Sequence, residues 1–433
     1  MENRYDKYKD SGIAWIGEIP EHWSKNKIIR LFSIIGSGTT PKSSKENNYI
    51  GYVNWIQSGD INGGYIENCK NTISDTALKE YPTLKIYKAP FIIVAMYGAS
   101  VGNISISNID GCVNQACCVM NETKQNFKYL FYAMNSVKKY LIYKAEGGGQ
   151  PNISQDKIKN IWLPIPPLPE QQSIADYLDQ KCSEIDELIT LQEEMITKLQ
   201  SYKQSIITEA VTKGLDKNVP LKDSGIEWIG EIPEHWDVKR LKYFGNNYNG
   251  LTYNPNDICN SQEGTIVLRS SNIKDNKLCF DDNVYVNKEI PTKLFVNKGD
   301  ILICSRNGSA SLIGKAALIE TDIKATFGAF MMIFKGNNIH HKYLYYIVTS
   351  CISQYKWLFT TATINQLTSS MLGEIFAPSI CDRLEQQSIA DYLDQKCSEI
   401  DELISIKQQK VEKLKDYKKS LIFECVTGKR KVS

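Results

Sequence analysis

A twenty-residue run, EQQSIADYLDQKCSEIDELI at 170–189, returns unchanged at 385–404, an offset of 385 − 170 = 215 residues. A second run, DSGIAWIGEIPEHW at 10–23, returns at 223–236, an offset of 223 − 10 = 213, and differs only in that Ala14 becomes Glu227. The segments between, 24–168 and 237–382, hardly resemble each other. Repetition at so long a period constrains architecture before any local pattern does, and here it demands two units with matching ends and dissimilar middles. A helix retained only for packing needs its apolar stripe to match, while its solvent face can drift. In this chain the polar positions match too: Asp176, Asp179, Gln180, Glu184, Asp186 and Glu187 all have identical counterparts. A recent duplication would leave the middles alike as well. The pattern implies that the matched segments bind one partner twice and that each middle binds something different.

At 433 residues the chain has room for two or more domains, each with its own core. The 42% hydrophobic and 23% charged composition is that of a globular protein, with no apolar run of bilayer-spanning length. The first residues lack an apolar signal core, so a cytoplasmic location without membrane attachment is expected. Twelve cysteines without a Cys-x-x-Cys pair point to reduced thiols rather than to disulfides or zinc. His22, His235, His340 and His341 are too few and badly spaced for a metal cluster, and the first two, in the repeated PEHW, read as structural. Net charge is only +2, but its distribution is uneven. Lys and Arg minus Asp and Glu gives 16 − 9 = +7 for 24–168, 15 − 12 = +3 for 237–382 and 4 − 9 = −5 for 169–214. Basic middles separated by an acidic spacer suit phosphate contact at two places.

Six segments follow from this: a lead-in at 1–23 anchored by Trp15 and Trp23, a first middle at 24–168, a helix at 169–214, a second lead-in at 215–236, a second middle at 237–382, and a second helix with a basic tail at 383–433. Apolar runs separated by Gly, Asn and Ser predict strands at 52–56, 91–96 and 112–120, then a helix at 127–145. GGGQPNIS at 147–154 is a loop, and the proline-rich LPIPPLP at 163–169 predicts an extended strut. The second middle predicts strands at 265–268, 300–304, 315–319 and 327–334, a helix at 342–358, and a polar loop, TTATINQ at 360–366, in place of the glycine loop. In the first long helix two seven-residue series alternate: Leu178, Ile185, Gln192, Leu199 and Ile206 with Lys181, Leu188, Met195 and Tyr202. The second helix carries Leu393, Ile400, Lys407, Leu414 and Leu421 with Lys396, Leu403, Lys410 and Tyr417. Both read as coiled-coil seams, and about 40 residues give a rod of roughly 60 Å.

Catalytic signatures fail on inspection. GSASLIGKA at 308–316 mimics a phosphate loop but has five residues between its glycines and Ala316 where a magnesium-binding hydroxyl belongs. Asp110 with Glu122 and Lys124 has only the loose spacing of chance. Neither an amino-methyltransferase tetrapeptide nor a Gly-x-Gly-x-x-Gly turn occurs. No catalytic or metal-binding residue is assigned, and no cofactor is expected in this chain. What remains is a concentration of base- and phosphate-binding residue types in loops. In the first middle these are Lys42, Ser43, Ser44, Lys45, Gln57, Ser58, Tyr97, Ser100, Asn103 and Gln150. In the second they are Arg269, Ser270, Asn272, Ser305, Arg306, Asn307, Ser309 and Thr363. The matched helix faces nominate Glu170, Gln171, Asp176 and Glu184, with Glu385, Gln386, Asp391 and Glu399, as partner-docking residues.

The order variable domain, helix, variable domain, helix, together with GEIPEHW at 17–23 and PPLPEQQ at 166–172, resembles the specificity subunit of type I restriction–modification systems. The likeness spans nearly the whole chain. It departs from the family where the second strut is reduced to APSICDRL at 377–384. It implies two α/β (α+β) target recognition domains joined by two long antiparallel coiled-coil helices, with a pseudo-twofold internal repeat. It further implies that each domain reads half of a bipartite double-stranded DNA site. Two modification (methyltransferase) subunits then dock on the repeats, and up to two ATP-dependent restriction subunits join them. S-adenosylmethionine, ATP and Mg2+ belong to those partners. The rivals are a specificity subunit of a methylation-only or type IIB-like system, a solitary nuclease, and a two-headed scaffold for proteins or RNA.

Overall fold

Each variable segment is entered and left through the same two-stranded ribbon. Ser24–Lys27 runs antiparallel to Trp162–Ile165, and Asp237–Arg240 antiparallel to Phe376–Ser379. This is a computed structural model, which describes residues 4–144, 151–260, 264–359 and 365–432. The chain divides into two compact units, Met1–Glu193 with Gln408–Ser433 and Glu194–Lys407. Each unit therefore holds one variable domain, the start of the long helix that follows it and the end of the other long helix.

In the first unit a five-stranded sheet has the order Ile34–Ser37, Cys117–Asn121, Phe91–Ala95, Ile104–Ser107, Tyr65–Ile66. A smaller sheet holds Cys112–Val113, Val53–Ile56 and Thr72–Ile73. The second unit repeats this with two four-stranded sheets. One contains Gly245–Asn249, Met331–Gly336, Ile301–Cys304 and Ala316–Leu318; the other contains Ile258–Cys259, Val284–Val286, Thr265–Leu268 and Ala325–Phe327. In the second-named sheet of each unit one pair is parallel: Cys112 opposite Trp55, and Ile266 opposite Ala325.

Several expectations need correction. The runs 112–120 and 327–334 are each two strands broken by a short turn, at 114–116 and at 328–330. Strand Ile104–Ser107 escaped notice because Ser105 and Ser107 interrupt its apolar run. Both are fully buried, and their hydroxyls bond Gly63 N (3.1 Å) and Ile109 O (2.8 Å). The helix at 127–145 is two pieces, Phe127–Ser136 and Lys138–Lys144, as the one at 342–358 is His341–Gln354 and Lys356–Phe359. The strut is half strand, Trp162–Ile165, and the long helix already begins at Leu168, with Pro169 in the first turn where its missing N–H costs nothing.

The long helices, Leu168–Lys213 and Arg383–Val426, run antiparallel within each unit. In the first unit Asp186 meets Lys418 (2.6 Å) and Glu193 meets Lys415 (3.7 Å). In the second Lys203 meets Asp401 (2.7 Å), and Lys407 reaches the Met195 sulfur (3.3 Å). The first predicted series of each helix is inward. The second series lies one residue later than expected: Cys182 and Ala210, and Cys397, Ile404, Val411 and Cys425, are buried. Positions three and four residues on are both neighbours on a helix face. Leu188, Met195, Tyr202, Leu403 and Tyr417 are consequently left between 43% and 59% exposed.

The lead-ins lock the helix ends. Trp23 is fully buried in one core with Tyr129, Ile174, Leu178, Leu421 and Val426. Trp236 is buried in another with Tyr343, Ile389, Leu393, Ile207 and Val211. Gly428 (φ +72°) closes the second helix against Pro20 and Trp23, and Gly214 (φ +72°) closes the first against Trp236. A Cβ at either position would meet those rings and strain the backbone.

Candidate nucleic-acid interface

Backbone hydrogen bonds bring three turns together at one edge of each variable domain. In the first, strand Val53–Ile56 ends in a turn where the Asp60 carboxylate accepts from Gln57 N (2.8 Å). Strand Phe91–Ala95 leads to Tyr97, flanked by bonds from Ile153 N to Met96 O (2.9 Å) and from Gly98 N to Pro151 O (3.0 Å). The turn at 114–116 joins both, with Asn114 N donating to Ile56 O (3.1 Å) and Met96 N to Ala116 O (2.7 Å). The second domain repeats the set. Asn272 Oδ1 accepts from Arg269 N (2.9 Å), Leu367 N donates to Ser305 O (2.8 Å), Gly328 N to Leu268 O (3.0 Å), and Ser305 N to Phe330 O (3.0 Å). These bonds pair Gln57 with Arg269, Tyr97 with Arg306, and Ala116 with Phe330. One scaffold thus carries different side chains.

The candidates divide on this scaffold. Tyr97 is exposed, and Gln57, Ser58 and Ser100 are half-buried beside it. Arg306 donates from Nη2 to Gln366 Oε1 (2.6 Å) and lies 6.0 Å from the centre of the exposed Phe330 ring. Asn307 Nδ2 reaches Ser270 Oγ (3.4 Å), tying two turns together, and its Oδ1 accepts from Ser309 N (3.0 Å). Arg269 pairs with Asp282 (2.8 Å). Three candidates are scaffold rather than reading groups. Asn272 is fully buried, and its amide bonds Arg269 N, Cys279 O (3.0 Å) and Asp282 O (3.2 Å). Ser305 is buried, with its hydroxyl on Phe330 O (3.0 Å). Asn103 donates to Ile61 O (3.0 Å) and accepts from Lys138 (2.7 Å). Lys42, Ser43, Ser44 and Lys45 are exposed but sit at helix Asp75–Glu80, where Lys42 N meets Tyr81 Oη (3.2 Å) and Lys45 pairs with Glu80 (2.6 Å). Gln150 and Thr363 lie outside the described residues.

Half of the docking candidates also face inward. Gln171 is fully buried, accepts from Asn126 N (2.9 Å) and donates to Gln125 Oε1 (2.7 Å) and Pro166 O (2.8 Å). Gln386 is buried, accepting from His340 N (2.8 Å) and donating to Ile380 O (2.8 Å). Glu170 holds Tyr5 and His22, and Glu385 holds His235 and Trp236 Nε1 (3.0 Å). These four fasten lead-in and domain to the helix, which accounts for their identity without a partner. Asp176, Glu184, Asp391 and Glu399 are exposed, and among the described residues they bond along their own helix, to Gln172, Lys181, Gln387 and Lys396 among others. The phosphate-loop mimic runs into strand Ala316–Leu318, not into a helix, and Asp110 is used by Lys88 (2.7 Å) and Ala89 N (2.8 Å), which hold its carboxyl below the ordinary range. Among the described residues no three His, Cys, Asp or Glu converge as a metal site, and no helix is long and apolar enough to cross a membrane.

The model of the type I restriction modification DNA specificity domain matches twice, at residues 20–200 and 233–415. The chain belongs to the specificity subunits of type I restriction–modification systems. A type I restriction enzyme MjaVIII specificity subunit of Methanocaldococcus jannaschii is 24% identical to this specificity subunit over 427 residues, covering 96% of this chain and 94% of its own. The EcoKI specificity subunit of Escherichia coli K12 is 25% identical over 319 residues, 70% of this chain and 66% of its own. A chain solved for the structural basis of complex assembly and conformational transition of the type I R-M system shares the fold. It covers 94% of this specificity subunit and 98% of itself, with a TM-score of 0.71 at 15% identity. The protein is thus a DNA-binding component with two target recognition domains. Sequence reasoning missed Gln115, Phe330 and Gln366 in the three-turn edge. The interruptions NQA at 114–116 and GAF at 328–330, inside what read as strands, were the available signal.

Proposed function

We propose that each target recognition domain reads one half of a bipartite duplex site through its three-turn edge, and that the chain itself carries no chemistry. Methyl transfer from S-adenosylmethionine belongs to two modification subunits, and ATP- and Mg2+-dependent cleavage to as many as two restriction subunits. The observation that carries this is the contrast between the edges: a shared set of hydrogen bonds offers Gln57, Tyr97 and Ala116 in one domain and Arg269, Arg306 and Phe330 in the other. Readers of two different sequences need a constant frame and variable side chains.

Docking is assigned to the matched outward face of the long helices. It contains Asp176, Glu184, Leu188 and Leu191, repeated as Asp391, Glu399, Leu403 and Ile406, all exposed. Exposed leucines at helical spacing, ringed by charge, suit an amphipathic partner helix. Native mass spectrometry of the subunit co-expressed with its methyltransferase should give one specificity chain to two partners. A complex that stays one-to-one with excess partner overturns the docking assignment.

A further inference from the structure

Phe330 is 62% exposed at the tip of the turn between strands Ala325–Phe327 and Met331–Gly336. Its carbonyl accepts three hydrogen bonds, from Ser305 N (3.0 Å), Arg306 N (3.1 Å) and Ser305 Oγ (3.0 Å). A tip pinned this firmly holds the ring outward, and an aromatic ring kept in water costs free energy unless something covers it. Beside it the Arg306 guanidinium is oriented by Gln366 Oε1 at 2.6 Å. That bond uses one of the five guanidinium N–H donors and leaves others for a ligand. The separation of 6.0 Å between guanidinium and ring spans about two base-pair steps of 3.4 Å.

We propose that Phe330 and Arg306 read base pairs about two steps apart as a single unit, the ring packing on the 5-methyl group of a thymine and the guanidinium bonding the N7 and O6 edge of a guanine. Both partners are major-groove features, and arginine with guanine and an apolar side chain with the thymine methyl are the pairings that groove geometry favours. The equivalent positions in the first domain carry Ala116 and Tyr97, with Gln115 exposed next to them. The thymine-and-guanine preference therefore belongs to the second half-site alone. This inference rests on the half-site reading proposed above.

The test uses the full-length chain with its methyltransferase partner. Randomised duplexes are selected by wild type, Phe330→Ala and Arg306→Ala, and the selected site is then remade with deoxyuridine in place of thymine at each position. Wild type should select two half-sites. Phe330→Ala should lose the preference for thymine at one position of one half-site, and Arg306→Ala the preference for guanine within two pairs of it. Removing that single thymine methyl should weaken wild-type binding about fourfold, as expected for one buried methyl, and leave Phe330→Ala unaffected. A wild type that selects two half-sites while Phe330→Ala selects the same ones, or stays equally sensitive to deoxyuridine, overturns this inference and spares the half-site reading. A wild type that selects no duplex overturns both.

Discussion

His340 occupies the position in the second domain that Asn126 occupies in the first: each caps a helix, Asn126 Oδ1 accepting from Tyr129 N (2.9 Å) and His340 Nδ1 from Tyr343 N (3.5 Å). An imidazole nitrogen accepts only when unprotonated. Burial, and then the neighbouring His341, hold the His340 pKa below its ordinary value. As pH falls through the ordinary histidine range, near 6.5, the unfolded chain takes up a proton that the folded chain resists. Stability therefore drops below about pH 6.5 and the loss levels off beneath the folded pKa. His340→Asn should flatten the dependence of the urea midpoint on pH between about 7.5 and 5.5, leaving the share due to His341; an unchanged slope would refute the cap. Gln171→Ala strands Asn126 N and the Pro166 carbonyl in the interior and should cost about 1–3 kcal/mol in urea unfolding. A change near zero would contradict the clamp. Gln171 shows the limit of sequence reading at this scale. Its identity with Gln386 is visible in the string, but whether a matched polar residue faces a partner or its own domain depends on which side of the helix the domain covers.

At the scale of elements, the long helices and their first seam series were legible because leucine and isoleucine recur every seven residues. The second series was not. Lys181 and Cys182 lie three and four residues from Leu178, and packing chose the smaller. That choice exposes Leu188 and Leu403, which gives a direct test. Leu188→Asp or Leu403→Asp should leave folding intact and remove one of two methyltransferase copies, and the double substitution should remove both. Full occupancy in the double variant, measured by native mass spectrometry, would show that docking lies elsewhere. Four residues inserted between Gln192 and Lys203 lengthen the first helix by roughly 6 Å. If the helices set the gap between half-sites, sequencing of methylated sites should show it longer by about one or two base pairs of 3.4 Å, with both half-sites unchanged. An active variant with an unchanged gap would end the spacer role. The turns at 114–116 and 328–330 left only the short interruptions NQA and GAF in the string, because apolar residues continue on both sides; the hydrogen bonds of Asn114 N and Gly328 N show where the strand stops.

At the scale of the whole chain, each unit joins the end of one long helix to a lead-in from elsewhere in the sequence. Tyr8 Oη donates to Gly428 O (2.9 Å) and Lys429 to Glu18 O (2.9 Å), so the second helix ends on the first lead-in, as the first helix ends on the lead-in before Trp236. This much of the architecture was written in the repeats. The shared order of strands, helix and loop in the two variable domains was legible too, but the residue-by-residue kinship of their edges was not, because backbone bonds carry it and Gln57 and Arg269 or Tyr97 and Arg306 share nothing as side chains. That kinship makes the central claim testable in one measurement, the sequences enriched from randomised duplexes by the complex carrying Gln57→Ala or Arg269→Ala. Each substitution should relax one half-site, about 1–3 kcal/mol at a single position, and leave the other half-site and the gap as in wild type. A single contiguous motif, or equal relaxation of both halves by either substitution, would contradict the division of reading between the two domains.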